Sequence, residues 1–453
     1  MTVHLGRGAI IVDCPSQELK DGLRRFVHRS TGGEYENLYT LSTLSNGSSV
    51  LVTLPGYANR VKGLCSKAKI VDERIKMPAP SIDESLVGME PWHDSIVKAI
   101  CACGGVISVP DIIGFSNTAA SIIRAFPRNK LLERGTALSV VAVDSAGYAR
   151  EVADALEKML PEREVGLLAG GRCSDSEDVI VSAYDAMKDV QIQYAGVFIG
   201  EVPSGNVSKR AMQISSVRSA ARWGISSTSF GGIVDIGIDV EGLFGPLVSS
   251  VSYNDVVASG IGVPITVVWI PSPKPRCYSG SAPMSVLSDM AMRSNKEFIN
   301  LVSEIINHVS NDIGCIACTD DNVTADRISA ILPNVVKISG LSPAKERKAV
   351  LGDIAGGTIR KAIVSSGCFP RSISHGVMVV ANCEGEYIDG WNIPWRHLTR
   401  PGEKTYLVDF RHDWDSHNGR PGRLSLNDEA RMRKYREMGF SQMSVSNAAQ
   451  LPF

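Results

Sequence analysis

The chain has 453 residues, which exceeds the size of one ordinary hydrophobic core and predicts two or three domains. Hydrophobic residues make up 44% and charged residues 21% of it, as is typical of a globular protein. The 47 basic side chains are balanced by 48 acidic ones, so any nucleic-acid binding has to use a local basic patch. No apolar run reaches the roughly 18 residues that cross a bilayer, and no signal-peptide pattern is present. We therefore expect a cytoplasmic protein without a membrane contact.

Residues 1–88 predict a small α+β domain. ENLYTLST and SSVLVTL have the composition of strands and flank the turn LSNG, and NRVKGLCSKA after them favours a helix. The next stretch, VDERIKMPAPSIDES, is rich in charge and proline, which indicates a linker.

From residue 89 onward apolar strands alternate with amphipathic helices, the pattern of a parallel α/β sheet. ALSVVAVDS, DVIVSAY and AGVFIGE are predicted strands, and GYAREVADALEKML is a predicted helix with apolar positions three and four apart. PITVVWIPSPKPRC is predicted to close this sheet, so the domain is expected to span residues 89–275.

A second α/β series predicts another parallel-sheet domain over residues 276–453. KEFINLVSEIINHVS and TADRISAIL are its predicted helices, and GCIACT, NVVKISG, KAIVSS, HGVMVVAN and KTYLVDF are its predicted strands. LSPAKERKAVLGDI is predicted to be a helix with Ser342 as its N-cap and Pro343 in its first turn.

Two stretches contain residue types that bind metals, but their spacings do not suit a metal site. Cys315 and Cys318 have the CxxC spacing of redox and zinc sites, but residues three apart in the strand GCIACT face opposite sides of a sheet. The acidic and histidine residues of RHDWDSHNG match no standard site. The sequence therefore predicts no metal site.

The order of several segments resembles that of superfamily 2 nucleic-acid helicases, of the phage and DNA-repair type with a small N-terminal domain. The segments are MEPWHDSIVKAI, ISVPDIIGFSNTAASIIRAF, AGVFIGEV, RWGISSTS, SGLSPAKER and the tail from WRHLTRPGEKTYLVDF to RMRKYREMGF. The resemblance covers about residues 30–440 and is most specific in the tail. It implies an α/β fold in which two tandem RecA-like parallel-sheet domains follow a small α+β N-terminal domain.

The resemblance places a phosphate-binding loop in VPDIIGFS. Such a loop needs small residues, a lysine for the β and γ phosphates, and a hydroxyl for magnesium. This segment keeps Gly114 and Ser116 but has Phe115 in place of the lysine, and the bulky Ile112 and Ile113 in place of small residues. A phenyl ring carries no charge, so the main phosphate ligand is lost.

The other nucleotide positions that the resemblance implies are also altered. In AGVFIGEVP, Gly200 replaces the magnesium-binding aspartate of the family, and Glu201 is retained. His93 stands in place of the adenine-reading glutamine, and in the arginine-finger segment NIPWRHLTR only Arg400 is retained. These losses predict that Glu201 and Arg400 are vestigial and that no cofactor is bound, ATP and magnesium being expected only in an active enzyme.

The candidates for nucleic-acid contact lie on a strand end, on a loop and in the tail. A hydroxyl where a strand runs into a helix can hold a phosphate, and the tail has the densest basic cluster of the chain. The candidates are Ser182, Gly171, Arg172, Arg420, Arg423, Arg431, Arg433 and Lys434. The tail helix also carries Asp428 and Glu429, so it equally fits a solvated helix face.

Three functions remain open. The first is an ATPase-deficient, helicase-like protein of phage DNA replication, recombination or repair, which binds DNA or docks on an active helicase or other replication protein in the bacterial host cytoplasm. The second is an active ATP-dependent DNA helicase with unusual motifs, favoured by Ser116, Glu201 and Arg400. The third is a protein scaffold without nucleic-acid contact, which the neutral overall charge permits.

Overall fold

The computed structural model describes residues 1–453 except 7–8, 30–31, 75, 83–91, 111–112, 129–137, 169–176, 190–193, 203–212, 215–216, 227–233, 261, 281, 320, 366–377, 384–404, 418–419 and 438. The chain divides into two compact units, Met1–Val251 and Ser252–Phe453. Within the described ranges, no helix is long and apolar enough to cross a membrane.

The first unit begins with a small α+β domain. Its five-stranded sheet has the order β5-β6-β2-β1-β7 and is antiparallel except for the parallel pair β1–β7, while β3 and β4 form a separate antiparallel hairpin. The strands are β1 (Thr2–Leu5), β2 (Ile10–Asp13), β3 (Arg24–Arg29), β4 (Gly32–Asn37), β5 (Tyr39–Thr43), β6 (Ser49–Thr53) and β7 (Lys69–Asp72). The helices are α1 (Gln17–Gly22) and α2 (Ala58–Leu64), the latter preceded by a 3₁₀ turn at Pro55–Tyr57. Alternate residues of β1 and β2 face their core, as half-buried strands require.

The rest of the first unit is built on a seven-stranded, all-parallel sheet of order β10-β11-β9-β12-β13-β8-β14. The strands are β8 (Gly105–Ser108), β9 (Ser139–Val143), β10 (Val165–Leu168), β11 (Val179–Ala183), β12 (Tyr194–Glu201), β13 (Arg218–Ser226) and β14 (Leu247–Ser250). The helices are α3 (His93–Cys101), α4 (Phe115–Ala125), α5 (Ala146–Met159) and α6 (Val234–Phe244), with a 3₁₀ turn at Tyr184–Asp189. Every residue of β8, β9 and β11 is buried, which is why these strands read as continuous apolar runs.

The second unit repeats this architecture in a parallel sheet of order β17-β18-β16-β19-β20-β15-β23, beside a short antiparallel pair β21–β22. The strands are β15 (Ile265–Pro271), β16 (Gly314–Thr319), β17 (Val336–Ile338), β18 (Lys361–Ser365), β19 (Met378–Cys383), β20 (Thr405–Arg411), β21 (Ser416–His417), β22 (Arg420–Pro421) and β23 (Ser441–Ser444). The helices are α7 (Tyr253–Ala258), α8 (Met284–Ser288), α9 (Lys296–His308), α10 (Asn322–Ile331), α11 (Ala344–Ala355) and α12 (Arg423–Glu437). A π-helical turn at Asp289–Arg293 and a 3₁₀ turn at Ala448–Gln450 complete it.

The predicted fold class is confirmed, with a small α+β domain followed by two RecA-like parallel-sheet domains. One assignment was wrong. β15, which PITVVWIP forms, was expected to close the first sheet, but it pairs with β20 and β23 in the second. The two compact units accordingly divide between Val251 and Ser252 rather than near residue 275.

Two local expectations had different outcomes. Cys315 and Cys318 of β16 pack into separate clusters on opposite sides of the second sheet, as the strand period requires. The N-cap of α11 is Pro343, without a side-chain hydrogen bond, instead of Ser342. The Ser342 hydroxyl accepts the Ser339 backbone N–H at 3.2 Å, because it closes the turn before the helix.

Candidate nucleotide site and nucleic-acid interface

The strand–turn–helix geometry of a phosphate loop is present in the first RecA-like domain. β8 runs through a loop to Gly114, whose φ of +82° is one that glycine adopts without strain, and α4 begins at the next residue. The half-buried Ser116 occupies the second helical position. Ile113 is buried, and Ile112 lies outside the described residues. The described part of this segment therefore has a glycine turn directly before a helix, as a phosphate site would need.

The side chain of Phe115, the first residue of α4, is packed in the protein interior. Its side chain is 8% exposed, and its ring centroid lies 6.1 Å from that of Tyr148 on α5. The side chains that follow bond back to the loop, the Asn117 amide donating to the Ile113 carbonyl at 2.6 Å and the Thr118 hydroxyl to the Gly114 carbonyl at 3.2 Å. The first turn of α4 contains no basic side chain. The position that the resemblance assigns to the phosphate-binding lysine is thus part of the hydrophobic core.

Gly200, at the position that the resemblance assigns to the magnesium-binding aspartate, is enclosed by aromatic side chains. A Cβ atom added there would lie 2.6 Å from the Tyr184 hydroxyl and 2.7 Å from Cε1 of Phe244. The neighbouring Glu201 is half-buried, and its carboxylate accepts the Asp144 backbone N–H at 3.0 Å. A polyphosphate bound at the end of β12 would meet the negative Glu201 carboxylate, and Phe115 supplies no positive charge to offset it.

Trp92 and His93 retain hydrogen-bonding capacity at the start of α3. Their ring centroids are 4.0 Å apart in an edge-to-face arrangement. Trp92 Nε1 and His93 Nδ1 are both buried and have no hydrogen-bond partner among the described residues. The position that the resemblance assigns to adenine reading therefore keeps one donor and one further ring nitrogen.

Of the three residues of the first domain that were predicted to contact nucleic acid, the structure describes only Ser182. Ser182 is fully buried, and its hydroxyl donates to the Ala183 carbonyl at 2.9 Å. Its oxygen is therefore not open to a phosphate in this structure, and the predicted phosphate contact gains no support. Gly171 and Arg172, like Arg400 of the finger segment, lie outside the described residues.

The tail cluster separates into one buried arginine and several exposed cations. Arg431 is 2% exposed and donates to Asp409 at 3.0 and 3.3 Å and to Asp428 at 2.9 Å. Tyr435 donates its hydroxyl to the same Asp409 at 2.7 Å, and the Arg431 guanidinium lies 5.9 Å above the Trp269 ring. These two carboxylates hold the pKa of Arg431 above its ordinary value. Arg431 is a core ion-pair residue, and its predicted phosphate contact is wrong.

Three of the remaining tail candidates are solvent-exposed. They are Arg420 on β22, Arg423 at the start of α12 and Arg433 on its outer face, while Lys434 lies on the same helix. Glu429 and Glu437 are exposed among them. The outer face of α12 is consequently of mixed charge, as the solvated-face interpretation predicts.

Three side chains of RHDWDSHNG, those of His412, Asp413 and Asp415, bond to protein groups. His412 is buried and its Nδ1 lies 3.1 Å from Asp428 Oδ1, while the fully buried Asp415 accepts the Leu424 backbone N–H at 2.7 Å and the Tyr278 hydroxyl. Within the described ranges, no three histidine, cysteine, aspartate or glutamate side chains are grouped to hold a metal ion.

A further basic cluster lies at the start of α11. Lys345 and Lys348 are exposed, and the partly exposed Arg347 donates to the Gly340 carbonyl at 3.1 Å. Helix α11 follows β17 at the carboxyl end of that strand, which is the edge where open parallel sheets bind ligands. Three cations within four residues, Lys345, Arg347 and Lys348, are visible in the sequence SGLSPAKERK, so the sequence alone could have predicted this cluster.

Comparisons with known proteins rest on structure alone. No protein-family model matches the sequence, and no curated protein sequence is significantly similar to it. A variant of S. cerevisiae Dbp5 bound to RNA and ADP BeF3 is similar, with 13% identity and a TM-score of 0.50 over 75% of this chain and 85% of that one. The DUF1998 helicase MrfA bound to DNA is 12% identical with a TM-score of 0.50, over 83% of this chain and 56% of its own.

The T4 UvsW structure aligns over 98% of this chain and 99% of its own at 15% identity, but its TM-score of 0.40 carries no argument. Identities this low bear on the fold only. With a small α+β domain before two parallel sheets, the chain shares the fold of the Dbp5 and MrfA structures.

Proposed function

We propose that this chain is a helicase-like nucleic-acid-binding protein that does not hydrolyse ATP. The observation that carries the nucleic-acid part is the cationic start of α11, in a chain with a helicase fold. The loss of ATP hydrolysis is supported by the packing of Phe115 and by the enclosure of Gly200.

The two altered nucleotide positions remove separate electrostatic contributions to phosphoryl transfer. A phosphate-loop lysine and a magnesium ion each stabilise the transition state by several kcal/mol, to an order of magnitude. Phe115 supplies no charge, and Gly200 supplies no metal ligand. The retained Glu201 carries no positive charge and does not replace the lysine, and its carboxylate accepts the Asp144 backbone N–H at 3.0 Å.

The start of α11 is suited to an anion. The amino end of a helix carries a positive partial charge, so each cation there costs about 0.3–1 kcal/mol, and an acidic residue is the usual neighbour. This helix instead has Lys345, Arg347 and Lys348 against the single Glu346 in its first two turns. Its N-cap Pro343 offers no side-chain hydrogen bond to the first backbone N–H groups. A nucleic-acid phosphate would satisfy both the cations and these donors.

The proposal also names a ligand, a partner and a cellular setting, which the fold alone does not supply. DNA is the proposed ligand, in phage DNA replication, recombination or repair in the bacterial host cytoplasm, with an active helicase or other replication protein as a partner. The support for this setting is the motif order of the sequence.

The test combines ATP calorimetry with DNA binding at several salt concentrations. The natural chain should bind single-stranded DNA in a salt-dependent way and show no heat with ATP, with or without magnesium. Replacing Lys345 and Lys348 together by glutamine should lower the slope of log affinity against log salt by about 0.7 for each lost phosphate contact. The matched control is Lys158→Gln, since Lys158 is an exposed lysine in the last turn of α5.

Two results would contradict the proposal. Micromolar ATP binding with DNA-stimulated hydrolysis would support the active-helicase alternative, in which Trp92 and His93 read the adenine. DNA binding that is absent at all salt concentrations would support the scaffold alternative.

A further inference from the structure

Leu341 is the most exposed large apolar side chain among the described residues. It is 81% exposed, whereas no other large hydrophobic side chain in the described ranges exceeds 49%. Single exposed apolar residues are common on protein surfaces. The position of Leu341, at the tip of the turn that leads into the cationic start of α11, is what gives it significance.

The turn that carries Leu341 is held by hydrogen bonds on both sides. The Ser339 hydroxyl accepts the Leu341 backbone N–H at 3.3 Å, and the Ser342 hydroxyl accepts the Ser339 backbone N–H at 3.2 Å. The Ser342 backbone N–H donates to the Ser339 carbonyl at 3.0 Å, and Pro343 then fixes the entry to the helix. The side chain is therefore presented outward by a pre-organised backbone.

The charged side chains near Leu341 indicate which kind of partner it contacts. Lys345 and Lys348 follow it within seven residues and are exposed, and Arg347 bonds to Gly340 of the same turn. An apolar protein partner would have to cover these cations without offsetting their charge. A nucleic-acid strand offers phosphates to the cations and base faces to the leucine. Leucine is among the apolar residues that proteins insert between base steps.

We propose that Leu341 packs against the faces of unstacked bases in the bound strand, an inference that rests on the proposed nucleic-acid function. Opening a base step in a continuous duplex costs free energy, so a strand whose bases are already free is the better ligand. The phosphate contacts of α11 then position the strand, and Leu341 gives the preference for single-stranded over duplex DNA.

The test uses the full chain and an oligonucleotide that carries a single 2-aminopurine, whose fluorescence rises when the base unstacks. The natural chain should raise this fluorescence and bind the single strand more tightly than the blunt duplex. Leu341→Ala should weaken single-strand binding by about tenfold, since it removes most of a buried leucine contact. It should also abolish the fluorescence rise and leave the salt slope and the melting temperature unchanged, because its side chain is exposed in the free protein.

Two controls make the outcome specific. Leu426→Ala, at a leucine that is 49% exposed on α12, should leave binding and fluorescence unchanged. An oligonucleotide with abasic sites should bind the natural chain as weakly as it binds Leu341→Ala, because the bases are the contact that both changes remove.

Failure of this inference can be told from failure of the proposed function. If the natural chain binds DNA with a salt slope and Leu341→Ala binds equally well with the same fluorescence rise, only the inference is overturned. If the natural chain does not bind DNA at all, the proposed function fails and the inference fails with it.

Discussion

Placing an aspartate at Gly200, the proposed former magnesium position, should destabilise the first unit and should not create ATP binding. Gly200 of β12 lies opposite Ala142 of β9 and Gly224 of β13. The ring of Phe244 covers both glycines, since a Cβ atom at Gly224 would also lie 2.7 Å from it. Tyr184, which is fully buried, lies against the same Cβ position at Gly200 and donates its hydroxyl to the Glu201 carbonyl. An aspartate at position 200 has no space unless these rings move.

The expected cost follows from this enclosure. Gly200→Ala should lower the free energy of unfolding by about 1–3 kcal/mol, the usual range for inserting a methyl group into a packed core. Gly200→Asp should cost about 1–3 kcal/mol more, because it also buries a polar group without a partner. Combining Gly200→Ala with Phe244→Leu should show a coupling of at least about 0.5 kcal/mol, since the smaller side chain relieves the same contact.

The measurement is hydrogen exchange of β12 and β13 peptides in increasing urea, which reports on the first unit separately. Gly147→Ala is the matched control, because Gly147 lies in α5 and an added Cβ would meet nothing within 4 Å. It should be neutral or stabilising by up to about 1 kcal/mol, since alanine favours helices over glycine. A Gly200→Asp chain as stable as this control, and able to bind magnesium and ATP, would refute the reasoning.

Two further predictions concern charged groups in the two units. Arg431→Met should destabilise the second unit by about 3–5 kcal/mol, because it leaves the buried Asp409 and Asp428 without their cation. Urea unfolding followed by hydrogen exchange in β20 and α12 measures this loss of stability. The salt slope of DNA binding should stay unchanged, and a slope reduced by about one without loss of stability would instead indicate a phosphate contact. Hydrogen bonds from the Arg74 side chain lower the pKa of Asp72 from 3.8 to about 2, so the ionised carboxylate contributes stability that is complete above about pH 4 and is lost as the pH falls towards 2. Asp72→Asn should remove this part of the acid dependence of β7 exchange, and an unchanged pH profile in that variant would contradict the assignment.

The elements that the sequence predicted best are those with the strongest local patterns. The strands β9 and β11 are apolar runs because a parallel sheet covered on both faces buries every one of their residues, and α5 and α9 have apolar positions at helical spacing. Membership of a sheet is not local. PITVVWIP is recognisable as a strand, but nothing in its composition shows that it pairs with β20 and β23.

The errors at the candidate sites also come from distant partners. Arg431 and Arg433 look alike in RMRKYRE, yet Arg431 lies on the helix stripe of Leu424, Asp428 and Tyr435 and finds Asp409 on another element. Helical periodicity shows which arginine faces the protein, but only the fold supplies the second carboxylate. Ser342 likewise has the composition of an N-cap, and it bonds instead to Ser339 in the preceding turn.

The region that we propose to be a former nucleotide site is a packed core and not simply a site that lacks two residues. Simple loss of a lysine and an aspartate would leave a cavity and unpaired polar groups where they had been. Phe115 instead packs beside Tyr148, and the two facing glycines Gly200 and Gly224 are covered by the ring of Phe244. Any variant that regains ATP binding must therefore change the aromatic residues together with Phe115 and Gly200. This coupling is the physical reason for expecting the Phe115→Lys, Gly200→Asp double variant to fail as a rescue.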